Sequence, residues 1–412
     1  MKRTNFISLA ILAVVTSFYS LTENSWFNSW TSGVIGSSNF ETMVMVSTSA
    51  GMGAAFFLIW GAISDNIRTK FGRRKPVLLT GLVLSAIFIF MFAGSKEFIA
   101  CLILDGIVLG ITGNMMWSSW HSLIADLSKP KTRGKLVSNL FIFASIGGLL
   151  LTVIEIVAET DERGFFTEAT HLFIFYLTAI SMLVAAFILF FTLKEVPMSK
   201  LPPKRRWYID LKNIFDAEEL KSHKEFYKFL LAAIVLTCAK YAYVPLLIVF
   251  RQEKGFDSFQ RLISYIIMGV GTFIGTFLLA RISDKYGRRN IIIYSIPGAI
   301  LGLILSAMID LSFEVFLIGY SILFFFFEGI TKTQETWAQD LADEEARGKF
   351  LGLANISQTL GRIPGLLLAG IFADIIGINA IFIVSAIIVV FSIPLFLRVK
   401  DVVLNEQKKI NK

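Results

Sequence analysis

Twelve stretches of about 20 mostly apolar residues run through the chain, the length a helix needs to cross a bilayer. Their cores fall at 5–22, 41–63, 76–94, 98–124, 136–157 and 172–193, then at 227–250, 262–282, 291–309, 313–338, 350–373 and 379–397. A soluble fold would need charged surface to cover them, and the charge is missing. Of 412 residues, 55% are apolar and 17% charged, and 39 are Phe. Soluble domains carry about 25% charged residues. The pattern predicts an all-α integral membrane protein with twelve transmembrane helices. It excludes a disordered chain, a coiled coil and a disulfide scaffold. Cys101 and Cys238 both sit in apolar runs, so neither a disulfide nor a Cys-based metal site is implied.

The first stretch begins like a secretory signal peptide, with Lys2 and Arg3 ahead of Ile7 to Val15 and small residues after. Its removal would leave eleven spans and break a six-plus-six arrangement, so it is read as a span. Placing the N-terminus inside puts 31 of the 39 Lys and Arg on the inner side, five outside (Lys96, Arg163, Arg251, Lys254, Arg261) and three within spans. That asymmetry follows the positive-inside rule and predicts both termini in the cytoplasm. It also accounts for the net charge of +8 without a nucleic-acid partner. The expected organisation is a six-helix bundle over 1–193, a cytoplasmic linker over 194–226, a second six-helix bundle over 227–397 and a cytoplasmic tail over 398–412. Within the linker, Trp207, Leu211 and Ile214 share one helical face, which reads either as an amphipathic helix on the membrane surface or as a solvated loop.

The two halves repeat. Asp126-Leu127 followed by Arg133-Gly134-Lys135 recurs as Asp340-Leu341 followed by Arg347-Gly348-Lys349, at a constant offset of 214. Ile63-Ser64-Asp65 followed by Gly72-Arg73-Arg74 recurs as Ile282-Ser283-Asp284 followed by Gly287-Arg288-Arg289, with four extra residues in the first copy. All four motifs fall on the inner side at matching places in each half. Such halves are parallel repeats related by an axis along the membrane normal. The glycines permit tight turns. The arginines are permanent donors that can fork onto carboxylates or helix-end carbonyls. These residues are therefore expected to form cytoplasmic latches that close in one state and open in another, with the outward-open state stabilised when the inner side closes.

The segment from Gly61-Ala62-Ile63-Ser64-Asp65 through Gly72-Arg73-Arg74-Lys75-Pro76 resembles the cytoplasmic signature loop of the major facilitator superfamily, and the second copy at Asp284 to Arg289 is similar to its repeat. The resemblance implies the major facilitator fold and secondary transport. The longer first loop is most similar to that of the glycoside–pentoside–hexuronide and sucrose cation symporters, which implies sugar substrates and a proton or sodium ion as the coupling ion, with no other cofactor. Melibiose-type members keep acidic residues within the second helix. Here Val44 to Ile63 has none, and Glu41 lies at its outer end.

Ionisable residues inside spans face cavities or one another. Glu328, Lys332 and Glu335 follow at i, i+4 and i+7 on one stripe of the tenth span, with Glu328 and Lys332 at an ion-pair spacing. Lys240 is central in the seventh span, beside Tyr241 and Tyr243, and Arg362 is central in the eleventh. Three readings compete for this set. The surplus positive charge attracts an anionic solute; or a lysine is held neutral or paired with an acid that carries a proton; or the groups tie helices together. The first half offers amides and rings instead: Asn24, Asn28, Trp26 and Trp30 at the end of the first span, and Asn114, Trp117, Trp120 and His121 in the fourth. These suit a sugar or a ring-bearing solute, or an interfacial aromatic belt. Gly106-xxx-Gly110, Gly271-xxx-Gly275, Gly298-xxx-Gly302 and Gly361-xxx-Gly365 read as helix-packing seams. Pro245, Pro297, Pro364 and Pro394 are candidate kinks.

No Walker A loop, His-Glu-x-x-His or Gly-x-Ser-x-Gly is present, and His121, His171 and His223 are scattered. An enzyme and a metal site are therefore not expected. The reading is a monomeric, multi-pass transporter of the cell (plasma or cytoplasmic) membrane, moving a small polar solute by alternating access with proton or cation coupling. The solute would be a sugar or small organic anion. An exporter, a lipid or amphiphile flippase, or a non-transporting sensor on the same scaffold are the alternatives.

Overall fold

A computed structural model describes residues 3–128, 130–195, 223–341 and 347–401; the side chains of 130–134, 347–352, 355 and 356 fall outside that description. The linker segment with Trp207, Leu211 and Ile214, and the tail beyond Asp401, lie outside the described residues. Twelve helices are long and apolar enough to cross a membrane. In chain order they are α1 (Arg3–Ile35), α2 (Asn39–Asn66), α3 (Lys75–Ala93), α4 (Phe98–Leu127), α5 (Pro130–Val157), α6 (Glu168–Thr192), α7 (Lys224–Glu253), α8 (Ser258–Tyr286), α9 (Arg288–Ala307), α10 (Phe313–Leu341), α11 (Arg347–Ile376) and α12 (Ala380–Leu397). No β-strand occurs among the described residues.

The chain divides into two compact units, Met1–Phe215 with Gln252–Gly255, and Asp216–Arg251 with Phe256–Lys412. The same packing recurs in each. In unit 1, α2 lies against α4, α3 against α4 and α6, and α1 against α5 and α6; in unit 2, α8 lies against α10, α9 against α10 and α12, and α7 against α11 and α12. Helix starts repeat too. Ser38 accepts the Glu41 N–H at 3.1 Å while Glu41 accepts the Ser38 N–H at 3.0 Å. Asp257 and Gln260 do the same for α8, at 2.7 and 3.1 Å. Each capping box satisfies two otherwise orphaned N–H groups. Glu41 is thus spoken for as a helix cap.

The glycine seams sit where helices touch. A Cβ at Gly275 would run into the Phe325 carbonyl of α10, and one at Gly365 into the Cys238 carbonyl of α7. Small residues let backbones approach where apolar lipid supplies no driving force between helices.

Three helices are locally irregular. α1 contains π-helical turns at Thr22–Trp26 and Thr31–Ile35, and α4 at Leu102–Leu109. The first span, expected over 5–22, therefore continues to Ile35 as one 33-residue helix. α7 breaks after Tyr241 into a 3₁₀ turn at Val244–Leu246 containing Pro245, which removes a helix donor there. Pro297, Pro364 and Pro394 lie inside continuing helices.

Candidate transport-pathway residues

At the basic end of unit 1, α2 finishes at Ser64-Asp65-Asn66 and the chain turns through Gly72, whose φ of +112° an L side chain rarely adopts. The turn delivers two arginines to the start of α3. Arg73 holds Asp126 of α4 through Nη2 at 2.7 and 2.8 Å and Nε at 3.3 Å, and its Nη1 lies 3.4 Å from Asp65. Arg74 bonds Asp65 and the Ser64 hydroxyl, donates to the Gly61 carbonyl at 3.2 Å and keeps Nε 3.5 Å from Asp126. A carboxylate not singled out from the sequence completes the site. Glu195, just past α6, accepts the backbone N–H groups of Arg73 at 3.0 Å, Arg74 at 2.9 Å and Lys75. It caps α3, where the helix dipole favours negative charge. Lys75 answers by donating to the carbonyls of Phe190 and Leu193 at the end of α6, at 2.6 and 2.9 Å.

Unit 2 repeats this with fewer parts. Gly287 turns at φ +88°. Arg288 alone binds Asp340 of α10 at 3.0 Å, the Ser283 hydroxyl at 2.6 Å and Asp284. Asp401, just past α12, accepts the Arg289 N–H at 2.8 Å, as Glu195 does in unit 1. The exits are tied alike: Asn5 bonds both the N–H and C=O of Lys194, and Glu225 accepts the Lys400 N–H at 2.8 Å. Leu193-Lys194-Glu195 and Val399-Lys400-Asp401 share an apolar-Lys-acid order, but their offset of 206 differs from the 214 and 215 of the repeated motifs, so spacing does not mark the two acids. The ion pairs described here join helices inside one unit. The Arg133 and Arg347 side chains lie outside the described residues.

In unit 2 the intramembrane charges pair differently from the sequence expectation. Glu328 does not take Lys332, four residues on. It pairs with Lys240 across to α7, at 2.8 Å from Oε1 and 3.0 Å from Oε2. Lys332 pairs with Glu335 at 2.9 Å on the exposed side of α10. Lys240 sits in the last turn of the first segment of α7, and that segment packs on α10, which brings Glu328 within its reach. Arg362 lies 4.9 Å over the Tyr241 ring, a cation–π contact. The close approach of α7 and α11 at Gly361 and Gly365 permits that contact. Tyr243 is fully buried against Phe324, Phe327 and Phe382.

In unit 1 the first-span residues are core. Trp26 and Trp30 are fully buried with Phe27, packed on Phe166, His171, Phe175 and Phe92, and so line neither a belt nor an open pathway. Their helix runs on past the expected end, and this stretch packs against α6. The Asn24 and Asn28 amides donate to the carbonyls of Ser20 and Asn24 in their own helix, at 2.7 and 2.9 Å. Glu23, which a shorter span would leave at its rim, lies inside α1 and accepts the Ser49 hydroxyl at 3.0 Å. Asp105 and Glu155 are buried as well. Charges within helices are therefore not confined to the second half. Asn114 and Trp117 remain half-buried on α4, with Asn114 donating to the Gly110 carbonyl at 2.8 Å.

Residues 4–365 match the Major Facilitator Superfamily. The multidrug resistance protein MdtG of Serratia proteamaculans (strain 568) is 23% identical over 351 residues, covering 81% of this chain and 77% of that protein. Among solved structures, a bacterial homologue of the human lysosomal transporter Spinster, inward-facing and unoccupied, superposes with a TM-score of 0.73 at 14% identity, covering 96% and 97% of the two chains. The D-xylose–proton symporter gives 0.71 at 15% identity with 96% and 97% coverage, and the nucleoside transporter NupG 0.70 at 18% with 96% and 98%. These structures share this chain's fold. The chain belongs to the Major Facilitator Superfamily. It is a multi-pass membrane transporter, not an enzyme.

Proposed function

We propose that this chain is a proton-coupled secondary transporter working by alternating access, with Lys240 and Glu328 as the coupling pair and the basic end in the cytoplasm. The observation that carries the reading is the Lys240–Glu328 ion pair, which joins α7 to α10 beside the break in α7. Protonating Glu328 would leave a lysine charge without its counter-ion in a poorly solvated place, which is costly. Proton binding is then favourable only when the helices rearrange or an anionic solute group replaces the carboxylate. Either route links proton and solute. The surplus of positive charge is smaller than the sequence implied, because Glu335 neutralises Lys332. An anionic solute thereby loses support relative to proton carriage. The small-solute class, a sugar or organic anion, rests on the family's range. The glycoside–pentoside–hexuronide likeness rests on the first loop alone, and Glu41 serves as a cap. An exporter is the second reading, favoured by the multidrug resistance relative.

The test is uptake into proteoliposomes of a labelled panel of sugars, carboxylates and nucleosides. Glu328→Gln should abolish accumulation driven by a pH gradient while leaving gradient-free exchange of the same solute. Undiminished uphill accumulation by that variant, or accumulation driven by sodium and indifferent to pH, would remove the proposal.

A further inference from the structure

In unit 1, α2 and α4 run side by side and leave a face on which three rings meet. The exposed imidazole of His121 lies 6.0 Å from the Trp117 ring at an interplanar angle of 25°, and 6.0 Å from the Phe57 ring at 66°. Trp117 and Phe57 are half-buried. Asn114, Trp117 and His121 follow at i, i+3 and i+7, one stripe of α4. Polar and ionisable side chains inside a span face a water-filled cavity rather than lipid. The rings on this stripe are therefore placed to meet a solute.

We propose that Phe57, Trp117 and His121, with Asn114 at the edge, bind the planar ring of an aromatic or heteroaromatic solute, and that His121 determines specificity by hydrogen-bonding the ring's polar edge. The inference rests on the transporter reading above and, of the sugar and the ring-bearing solute that the amides and rings of the first half could suit, takes the ring. The hydrogen-bond inventory selects a flat ring over a sugar. A sugar needs a partner for each hydroxyl that leaves water. The donors near this face are already used within the protein: Trp60 Nε1 on the Ile111 carbonyl at 3.1 Å, Asn114 Nδ2 on the Gly110 carbonyl at 2.8 Å, and the Ser64 hydroxyl on the Gly61 carbonyl at 3.0 Å. Ser118 is buried beneath Gly61. Among the described residues of this face, the His121 imidazole, the Trp117 indole N–H and the Asn114 carbonyl oxygen are what remains for a solute. Three polar groups beside three rings are too few for the hydroxyls of a sugar and suit a stacked ring with one or two polar edge atoms.

The experiment measures binding to the purified full-length protein in detergent, with ethidium as the planar fluorescent probe and benzimidazole and D-xylose as competitors. Ethidium should bind saturably, benzimidazole should displace it and D-xylose should not. Trp117→Ala and Phe57→Ala should each weaken ethidium about ten-fold, while Trp117→Phe stays within about three-fold. His121→Phe keeps a ring in place and should retain ethidium while losing displacement by benzimidazole about ten-fold, a split that a purely structural role would not produce. No saturable ethidium binding, displacement by D-xylose alone, equal ethidium affinity in wild type and both alanine variants, or unchanged benzimidazole displacement in His121→Phe would each overturn the proposal. Thermal midpoints check folding, and Trp117→Phe and His121→Phe carry the test where an alanine variant fails to fold. Binding is read without an ion gradient. A failure here leaves proton-coupled transport of another solute standing, and a failure of proton coupling leaves ring binding standing.

Discussion

Arg288 does alone in unit 2 what Arg73 and Arg74 share in unit 1. It holds Asp340 on one side and Ser283 and Asp284 on the other, whereas in unit 1 Arg73 holds Asp126 while Arg74 serves Ser64 and Asp65. Arg74 Nε is also 3.5 Å from Asp126, so it backs up the first pair. Loss of Arg288 strands two carboxylates at once. Arg288→Ala should therefore cost about 2–3 kcal/mol of stability and Arg73→Ala about 1 kcal/mol, both discounted for the exposure of Asp284 and Asp65. Thermal unfolding in detergent would show it, and equal losses from the two variants would contradict the division of labour. The motif residues were legible from the repeat. Glu195 and Asp401 were not, because one acid after a span has no spacing signature; only the return of the chain to α3 and α9 gives it a role.

Helix packing was legible as glycine pairs, but not which neighbour each pair meets. Gly275 lies against the Phe325 backbone of α10, while a Cβ at Gly269, less than two turns away on the same helix, would meet nothing within 4 Å. Gly275→Ala should lower the thermal midpoint sharply, since α8 and α10 would have to separate. Gly269→Ala should be neutral or stabilising by about 0.5–1 kcal/mol, from the reduced entropy cost of a helical Ala. Matching midpoints for the two variants would show that the seam is looser than its geometry. The π-helical turns were the least legible feature at this scale. Trp26 and Trp30 repeat every four residues in a way that reads equally as a membrane rim or a pathway. The prolonged α1 instead packs them against α6, where they fill space with Phe27, Phe92 and Phe175.

At the scale of the molecule, the basic end is the one marked by Gly-Arg-Arg turns. Its proposed placement in the cytoplasm rests on charge asymmetry. Lys70 at that end and Lys96 at the other are both exposed, and the two native cysteines are buried. In a cysteine-free background, an impermeant maleimide should label Lys96→Cys in intact cells and Lys70→Cys only after permeabilisation. The reverse pattern would invert the topology. The proposed uphill transport belongs to this scale as well, because a proton site inside one unit would drive a solute only if the whole protein alternated.

Span number, the two-fold repeat and the basic end were determined by the sequence alone, because apolar length, periodic motifs and Lys/Arg asymmetry act locally and need no partner. Which charges pair, which rings are core and which stay partly exposed were decided by the tertiary structure. Lys240 meets Glu328 because the first segment of α7 packs on α10, and His121 meets Phe57 because α2 and α4 lie side by side. Such contacts join residues far apart in the chain, and a lysine in an apolar run reads the same whichever helix it faces.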